Sequence, residues 1–349
     1  MRTRDAIDDP ILRRIYKGES RLHARDLSQD WLVGLLIHLQ RSNSRPFKAE
    51  MAAILAQHTR WMTQEFDEED RTLDEEGEAR FAELAQDGYT YLQLPEKFVE
   101  TIEASFHDVI LDDNTSEHQI IYGEDVRAAP KTSYSSNFKN PALCILEFPE
   151  VVKLVCNRFI MRLVYRHLGA LPRLSGMALT VSQSGKDGSV SSADWHIDKG
   201  PLSWLKMFIY LNDVDSNSGP HAFVRGSQND VFVHEALRAS LPRQSEYVGT
   251  LMGAQRWTDS HVRAVFPDRK KYHVGPKGTA FLEDTRGFHK ATHPTKGIRR
   301  MLTIEWSLDP SPYGPPPRRI GFDALAKSIR PTNPKSEARF RYMFGQYLQ

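Results

Sequence analysis

Hydrophobic positions change their spacing along the chain, from a helical pattern at the start to a strand-like pattern later on. Residues 1 to about 86 contain no strand-like alternation of any length. Their apolar positions recur at helical spacing on two faces, one with Leu32, Leu35, Leu36 and Leu39 and the other with Met51, Ile54, Leu55 and Met62. The pattern predicts a helical N-terminal extension over residues 1–79, followed by an amphipathic helix that ends near Gly88.

The middle of the chain combines one long helical pattern with several short strands. Residues 89–94 are β-rich and closed by Pro95, and residues 149–167 have helical spacing with Gly169 just beyond them. Later runs rich in β-branched and aromatic residues are separated by turn sequences; they cover residues 178–182, 204–212, 278–284 and 299–307. We predict a mainly β core with flanking helices over residues 80–308, built as a double-stranded β-helix of jelly-roll type.

The last forty residues begin with prolines that stop any strand, at positions 310, 312 and 315–317. Beyond them the pattern predicts a short helix over residues 322–329. An aromatic tail follows, with Phe340, Tyr342, Phe344 and Tyr347. We expect residues 309–349 to form a C-terminal tail that packs on the core.

Composition narrows the class of protein. The 349 residues are 40% hydrophobic and 26% charged, which is typical of a soluble globular protein with one large or two moderate domains. The formal net charge is +1. The overall charge of the protein therefore does not favour nucleic acid or an anionic membrane as a partner. Two cysteines, Cys144 and Cys156, are too few for a disulfide framework or a zinc ribbon.

No targeting or membrane segment is visible in the sequence. The first residues are charged and no apolar run follows them. The longest apolar stretch, residues 31–39, is about half the length that a membrane span needs. We therefore expect a cytoplasmic protein.

Candidate metal chemistry lies at His196 and Asp198, with His289 and Arg299 much later in the chain. Because His196 and Asp198 stand two positions apart, an extended backbone points both side chains to one face. Two histidines and one carboxylate on one face of Fe(II) leave the opposite face open for a co-substrate and O₂. The chain has 13 histidines, so the short motif alone is weak evidence, and His293 remains a rival to His289.

The sequence segments around these residues are more specific to one protein family than the short motif is. The first block comprises Trp195-His196-Ile197-Asp198, residues 205–214, Ser218-Gly219-Pro220-His221 and Val224-Arg225-Gly226-Ser227. The second comprises residues 278–281, Gly287-Phe288-His289-Lys290 and Gly297-Ile298-Arg299-Arg300. In this order, with a helix running into Asp87-Gly88-Tyr89, the chain resembles the phytanoyl-CoA dioxygenase family of Fe(II)/2-oxoglutarate oxygenases over roughly residues 80–308.

The resemblance assigns roles to individual residues. It implies that His196, Asp198 and His289 are iron ligands and that Arg299 pairs with the far carboxylate of 2-oxoglutarate, with Arg300 as the fallback. Only one of these two arginines can face the cavity, since neighbours on a strand point to opposite sides. Lys206 or Phe208 is expected beside the co-substrate. The chain departs from the family at Gln228, where histidine is common, and we expect this to affect a structural turn.

The implied activity is Fe(II)-dependent hydroxylation of a C–H bond in a small molecule. 2-Oxoglutarate and O₂ are converted to succinate and CO₂, and the remaining oxygen atom enters the substrate. Two alternatives stay open, a zinc-dependent hydrolase and a non-catalytic binding protein on the same barrel. A nucleic-acid demethylase is disfavoured because Glu305 occupies the position of that branch's second arginine. The N-terminal region and the tail have no readable motif and could cover the barrel mouth or form a homodimer contact.

Overall fold

The computed structural model describes residues 45–67, 71–112, 119–123, 137–139, 145–183, 194–198, 202–240, 256–308 and 319–349. The apolar face predicted around residues 32–39 lies outside these ranges, as do most of the predicted N-terminal extension and Cys144. None of the helices in the described ranges is both long enough and apolar enough to span a bilayer.

Helices flank a β core. The helices are α1 Arg45–Thr63, α2 Glu75–Asp87, α3 Glu96–Ser105, α4 Pro149–Val155, α5 Arg158–Leu168, α6 Asp230–Ser240, α7 Asp259–Val265, α8 Phe322–Ile329 and α9 Pro334–Met343. The strands are β1 Tyr89–Gln93, β2 Ile110–Asp112, β3 Gln119–Ile121, β4 Asn137–Lys139, β5 Arg173–Gln183, β6 Trp204–Tyr210, β7 His221–Val224, β8 Lys270–His273, β9 Thr279–Glu283, β10 His289–Ala291 and β11 Ile298–Ser307.

The strands form two antiparallel sheets. The larger has the order β1-β9-β6-β11-β5-β4-β2-β3, and the smaller has the order β10-β7-β8. The short segment 194–198 continues the smaller sheet beyond β10, through an antiparallel bridge between His196 and His289. The predicted mainly β core with flanking helices is therefore confirmed in its coarse form.

Alternation along β11 separates the two sides of the larger sheet. Leu302 and Ile304 belong to the main hydrophobic cluster, which also contains buried side chains of α4 and α5. Met301 belongs instead to a second, smaller cluster, with Phe208, Tyr210, Val214 and Phe281. We call the side of the larger sheet that carries this second cluster the inner side. Because successive side chains point to opposite faces, Arg299, Thr303 and Glu305 share the inner side with Met301.

The helix predicted over residues 149–167 is two helices. The backbone leaves helical geometry at Cys156 and Asn157, and the Asn157 side chain caps α5 by accepting a hydrogen bond from the Ile160 N–H at 3.1 Å. The predicted end of α5 is confirmed, since Gly169 has the left-handed φ of 77° that favours glycine at this position.

Other predicted elements agree closely with the structure. The predicted helix at residues 322–329 matches α8. Phe344 and Tyr347 are buried in the main hydrophobic cluster. The face predicted on α1 is only partly correct. Ile54 is 58% exposed, and the buried face of α1 includes Ala56 and Thr59 instead.

We predict that Gly287→Ala destabilises the fold by about 1–3 kcal/mol through overpacking. Gly287 lies in the turn between β9 and β10, where an added Cβ would stand 2.4 Å from Phe223 Cζ and 2.8 Å from Ser227 Oγ. Phe223 is fully buried, and Ser227 Oγ accepts the Phe288 N–H at 2.7 Å, so neither neighbour has room to move. Urea unfolding measures the change. Gly321→Ala is the matched control, since its Cβ would meet nothing within 4 Å, and equal losses in both variants would contradict the prediction.

Candidate metal centre

Backbone pairing brings the two predicted histidine ligands together. The N–H of each residue donates to the carbonyl of the other, and both distances are 2.9 Å. Side chains of directly paired residues stand on the same face of a sheet. The ring centroids of His196 and His289 are accordingly 4.4 Å apart.

Asp198 completes the group from the same segment. Its backbone N–H donates to the Thr285 carbonyl at 3.1 Å, and the Thr285 hydroxyl accepts the Trp204 indole N–H at 2.7 Å. Asp198 Oδ1 lies 3.6 Å from His289 Nε2 and 4.0 Å from His196 Nε2. One ligand atom from each of the three residues fits within 4.8 Å of the others. The predicted triad is thus one spatial group able to hold a metal ion.

Hydrogen bonds select the tautomer of both imidazoles. His196 Nδ1 lies 2.9 Å from the Asp194 carbonyl and His289 Nδ1 lies 3.0 Å from the Gly287 carbonyl. Carbonyl oxygens only accept, so each Nδ1 carries a hydrogen, and Nε2 is the ring nitrogen left to bind a metal. The nearby Asp198 carboxylate outweighs the effect of burial and raises the pKa of His289. Burial, reinforced by His289, lowers the pKa of His196 to about 4 and keeps it neutral. The rival His293 is not part of the group.

Lys206 contacts the outer oxygen of Asp198. The Lys206 ammonium lies 2.7 Å from Asp198 Oδ2 and 3.2 Å from Glu305 Oε2. The Ser175 hydroxyl donates to Glu305 Oε1 at 2.8 Å. The predicted contact between Lys206 and a co-substrate stays a prediction, because in this structure the ammonium is engaged by two carboxylates.

Arg299 is a buried cation on the inner side of the larger sheet. Its side chain donates to the Gly219 carbonyl and, at 3.1 Å, to the Ser182 hydroxyl, while its Nε has no partner. Across the described ranges, no carboxylate lies within ion-pair distance of this guanidinium, which is 2% exposed. Burial accordingly lowers its pKa. An unpaired buried charge is costly, so the environment suits an incoming anion.

Arg300 points the other way, as strand alternation requires. Its guanidinium donates to the Tyr122 carbonyl at 3.1 Å and lies over the Tyr122 ring. Tyr122 belongs to the main hydrophobic cluster outside the inner side. Of the two candidate arginines, Arg299 is therefore the one on the side of the metal group.

A buried polar cluster adjoins the triad and was not predicted. Glu283 lies between two histidines, with Oε1 2.8 Å from His221 Nε2 and Oε2 3.3 Å from His273 Nε2. Tyr91 Oη lies 2.9 Å from His273 Nδ1, and the Tyr210 hydroxyl donates to the His273 carbonyl at 2.8 Å. The sequence feature that could have indicated this cluster is Glu283, a charged residue at the end of the otherwise apolar strand β9.

This cluster connects to the triad through stacked rings. The His221 ring stacks on His289 with centroids 5.6 Å apart and on Phe208 with centroids 4.6 Å apart. Phe208 also stacks on Phe281 at 5.2 Å. Phe208, predicted beside a co-substrate, therefore forms part of an aromatic wall on the inner side next to the histidine ligand.

Glu283 gives a pH-dependent prediction. Burial raises the pKa of Glu283 above its ordinary value of 4.5. A carboxyl group whose pKa rises on folding stabilises the protein fully below its unfolded pKa, and this contribution is lost as pH rises through the folded value. Glutamine keeps the shape without titrating. The free energy of unfolding of Glu283→Gln should therefore improve relative to wild type as pH rises from about 4 to about 8.

Urea unfolding across that pH range measures the effect of Glu283→Gln. The control is Glu337→Gln, which removes an exposed carboxylate on α9 that pairs with Arg341 at 2.7 Å. A difference between Glu283→Gln and wild type that stays constant with pH, or that moves in the opposite direction, would contradict the prediction.

Comparison with known proteins adds context. No protein-family model and no curated protein matches the chain. Among solved structures, EctD from S. alaskensis with bound Fe is 12% identical, with a TM-score of 0.44, covering 69% of this chain and 78% of EctD. HygX from Streptomyces hygroscopicus with nickel and 2-oxoglutarate bound is also 12% identical, with a TM-score of 0.43, covering 68% and 87%.

A third solved structure is SnoN, a non-heme alpha ketoglutarate dependent epimerase from nogalamycin biosynthesis. It is 14% identical, with a TM-score of 0.43, covering 66% of this chain and 82% of SnoN. These likenesses are too loose to assign a family, so the function rests on the residues of the site.

Proposed function

We propose that this protein is an Fe(II)- and 2-oxoglutarate-dependent dioxygenase that hydroxylates a C–H bond of a small-molecule metabolite. The observation that carries the proposal is that two features lie on the same inner side of the larger sheet. One is the group of His196, Asp198 and His289, whose ligand atoms lie within 4.8 Å of one another. The other is Arg299, a buried cation with an unpartnered Nε. Together they suit a metal-chelating dicarboxylate.

We also propose that the core is a double-stranded β-helix. Four consecutive strands of the larger sheet, β9-β6-β11-β5, and the series formed by segment 194–198 with β10, β7 and β8 support this assignment. Along the chain, β5, segment 194–198, β6 and β7 alternate between the two layers, and β8 to β11 alternate again after the step from β7 to β8 within the smaller sheet. This order is that of a jelly roll. The proposed catalytic domain spans residues 80–308, and residues 1–79 and 309–349 flank it.

The donor set fits Fe(II). Two imidazoles that present Nε2 and one carboxylate are the ligands of the facial triad, which leaves one side of the ion open. His196 and His289 have their Nδ1 hydrogens on carbonyls, so both rings are oriented before an ion arrives. Bound iron with 2-oxoglutarate and O₂ would supply the oxidising chemistry, giving succinate and CO₂ and one oxygen atom to the substrate.

The residues around the triad fit the co-substrate. Arg299 offers a planar guanidinium that can hold one carboxylate by a two-point fork. The ring wall of Phe208, Phe281 and His221 keeps water away, which strengthens that ion pair. Lys206 adds a second cation beside the triad, and we retain it and Phe208 as proposed contacts of the co-substrate.

Release of CO₂ from 2-oxoglutarate tests the proposal. Purified protein with Fe(II) should decarboxylate 2-oxoglutarate slowly alone and faster with a small-molecule substrate, with succinate formed in equal amounts. His289→Ala should lose this activity while His293→Ala keeps it. A hydrolytic activity supported by zinc without CO₂ release would favour the zinc hydrolase. Iron binding without any CO₂ release across a broad metabolite panel would favour a binding protein.

A further inference from the structure

The two oxygens of the Asp198 carboxylate have different surroundings. Oδ1 faces the two imidazole Nε2 atoms at 3.6 and 4.0 Å. Oδ2 accepts a hydrogen bond from the Lys206 ammonium at 2.7 Å. One oxygen is therefore available to a metal ion and the other is occupied by a cation.

Glu305 holds Lys206 in this place. Lys206 and Glu305 are cross-strand partners in the pairing of β6 with β11, and their charged atoms lie 3.2 Å apart. Glu305 is in turn fixed by the Ser175 hydroxyl at 2.8 Å. The side chains of Lys206 and Glu305 are only 19% and 14% exposed, so water screens their attraction less than it would at the surface.

The number of oxygens that Asp198 contributes decides how much of a metal ion stays open. With one oxygen from Asp198 and two imidazole nitrogens, a six-coordinate ion keeps three positions, enough for a chelating 2-oxo acid and O₂. A carboxylate can also bind an ion through both oxygens. Asp198 would then occupy one of the three positions that the reaction needs.

We propose that Lys206, held by Glu305, is a positioning residue that keeps Asp198 a one-oxygen ligand and so preserves the third open position. The proposal rests on the metal site of the proposed function. It adds that Lys206 controls how many oxygens Asp198 contributes to the metal. In this role Lys206 acts through Asp198, separately from its proposed contact with the co-substrate, because its bond to Oδ2 competes directly with chelation by that oxygen. A purely structural ion pair would affect folding stability and leave the coordination number unchanged.

The experiment counts water molecules on bound Mn²⁺, using water-proton relaxation in the absence of any co-substrate. The variants are Lys206→Met, Lys206→Arg and Glu305→Gln in the full chain. The matched control is Lys153→Met, which breaks an exposed pair on α4 where Lys153 Nζ lies 2.7 Å from Glu150 Oε1. Metal titrations run in parallel, so that only fully loaded protein is compared.

Wild type and Lys153→Met should show three bound waters per ion, and Lys206→Met should show two, a loss of about one third of the inner-sphere relaxation. Lys206→Arg should restore the wild-type value, because a guanidinium also donates to Oδ2. Glu305→Gln, the milder change, should give an intermediate value because Lys206 loses one anchor. The affinity of the Mn²⁺ form for 2-oxoglutarate should fall by about tenfold or more in Lys206→Met, as for other residues that orient metal ligands.

Three waters on the ion in Lys206→Met at full loading would overturn the inference, even if wild type decarboxylates 2-oxoglutarate. The failure of the proposed function gives a different result. If wild type never releases CO₂ from 2-oxoglutarate, the change from three waters to two still supports the role of Lys206. If wild type binds no Mn²⁺ at the triad, the metal site is absent and the inference is overturned with it.

Discussion

Asp198→Ala is expected to abolish 2-oxoglutarate decarboxylation and to weaken divalent metal binding by about 100-fold or more. The variant removes the one anionic ligand of the group and leaves two neutral imidazoles. It should still fold, because Lys206 keeps its second carboxylate partner, Glu305, at 3.2 Å. Calorimetric titration with Mn²⁺ measures the affinity, and CO₂ release from 2-oxoglutarate in the presence of Fe(II) measures the activity.

Asp259→Ala is the matched control for Asp198→Ala. The Asp259 carboxylate also bonds neighbours of the metal ligands, since it accepts the Trp195 indole N–H at 2.9 Å and the Lys290 ammonium at 2.5 Å. It lies outside the metal-binding group. Metal affinity near that of wild type is therefore expected in Asp259→Ala. Wild-type metal affinity in Asp198→Ala would remove Asp198 from the proposed ligand set.

Arg299→Leu is expected to raise the 2-oxoglutarate requirement by about 100-fold or more, as loss of one partner from a buried charge pair costs about 2–5 kcal/mol. Iron affinity should stay within a few-fold of wild type, because Arg299 is not one of the three ligands. Without co-substrate the variant should be close to wild type in stability. Leucine removes a buried cation that, within the described ranges, has no carboxylate partner, but it also removes the donors to the Gly219 carbonyl and the Ser182 hydroxyl.

The contrast with Arg300→Leu makes this prediction specific. Arg300 donates to the Tyr122 carbonyl on the opposite side of β11, so its loss should leave the 2-oxoglutarate requirement unchanged. Binding of 2-oxoglutarate to the Mn²⁺-loaded variants and thermal unfolding without co-substrate are the two measurements. An unchanged requirement in Arg299→Leu with a raised one in Arg300→Leu would transfer the role to Arg300.

The local pattern of hydrophobic and polar residues was sufficient to predict much of the fold. The β-branched and aromatic residues of 299–307 predicted a strand on which Arg299 and Arg300 face opposite sides. In the structure Arg300 donates to the Tyr122 carbonyl, whereas Arg299 donates to the Ser182 hydroxyl. The break between α4 and α5 was missed because apolar residues continue at helical spacing across it. The Asn157 cap is a one-residue signal that this longer periodicity concealed.

For the candidate site too, some features could be predicted from local sequence and others depend on distant parts of the chain. The two-residue spacing of His196 and Asp198 was enough to predict a shared face, because it depends only on backbone geometry within one segment. The partners of Lys206 depend on how β6 and β11 align, which distant parts of the chain decide together. The Glu283 cluster was missed for the same reason, since its two histidines lie on β7 and β8 and the glutamate on β9.

The backbone pairing of His196 with His289 has a consequence for how the chain would acquire a metal ion at the proposed site. These residues are far apart in sequence, so an unfolded chain presents only His196 and Asp198 close together, a weak two-ligand site. The full set exists once β10 has paired with segment 194–198. A metal that binds the native chain and hardly binds the unfolded one shifts the folding equilibrium by mass action. The supply of the ion would then govern how long each molecule survives proteolysis, as well as whether it is active.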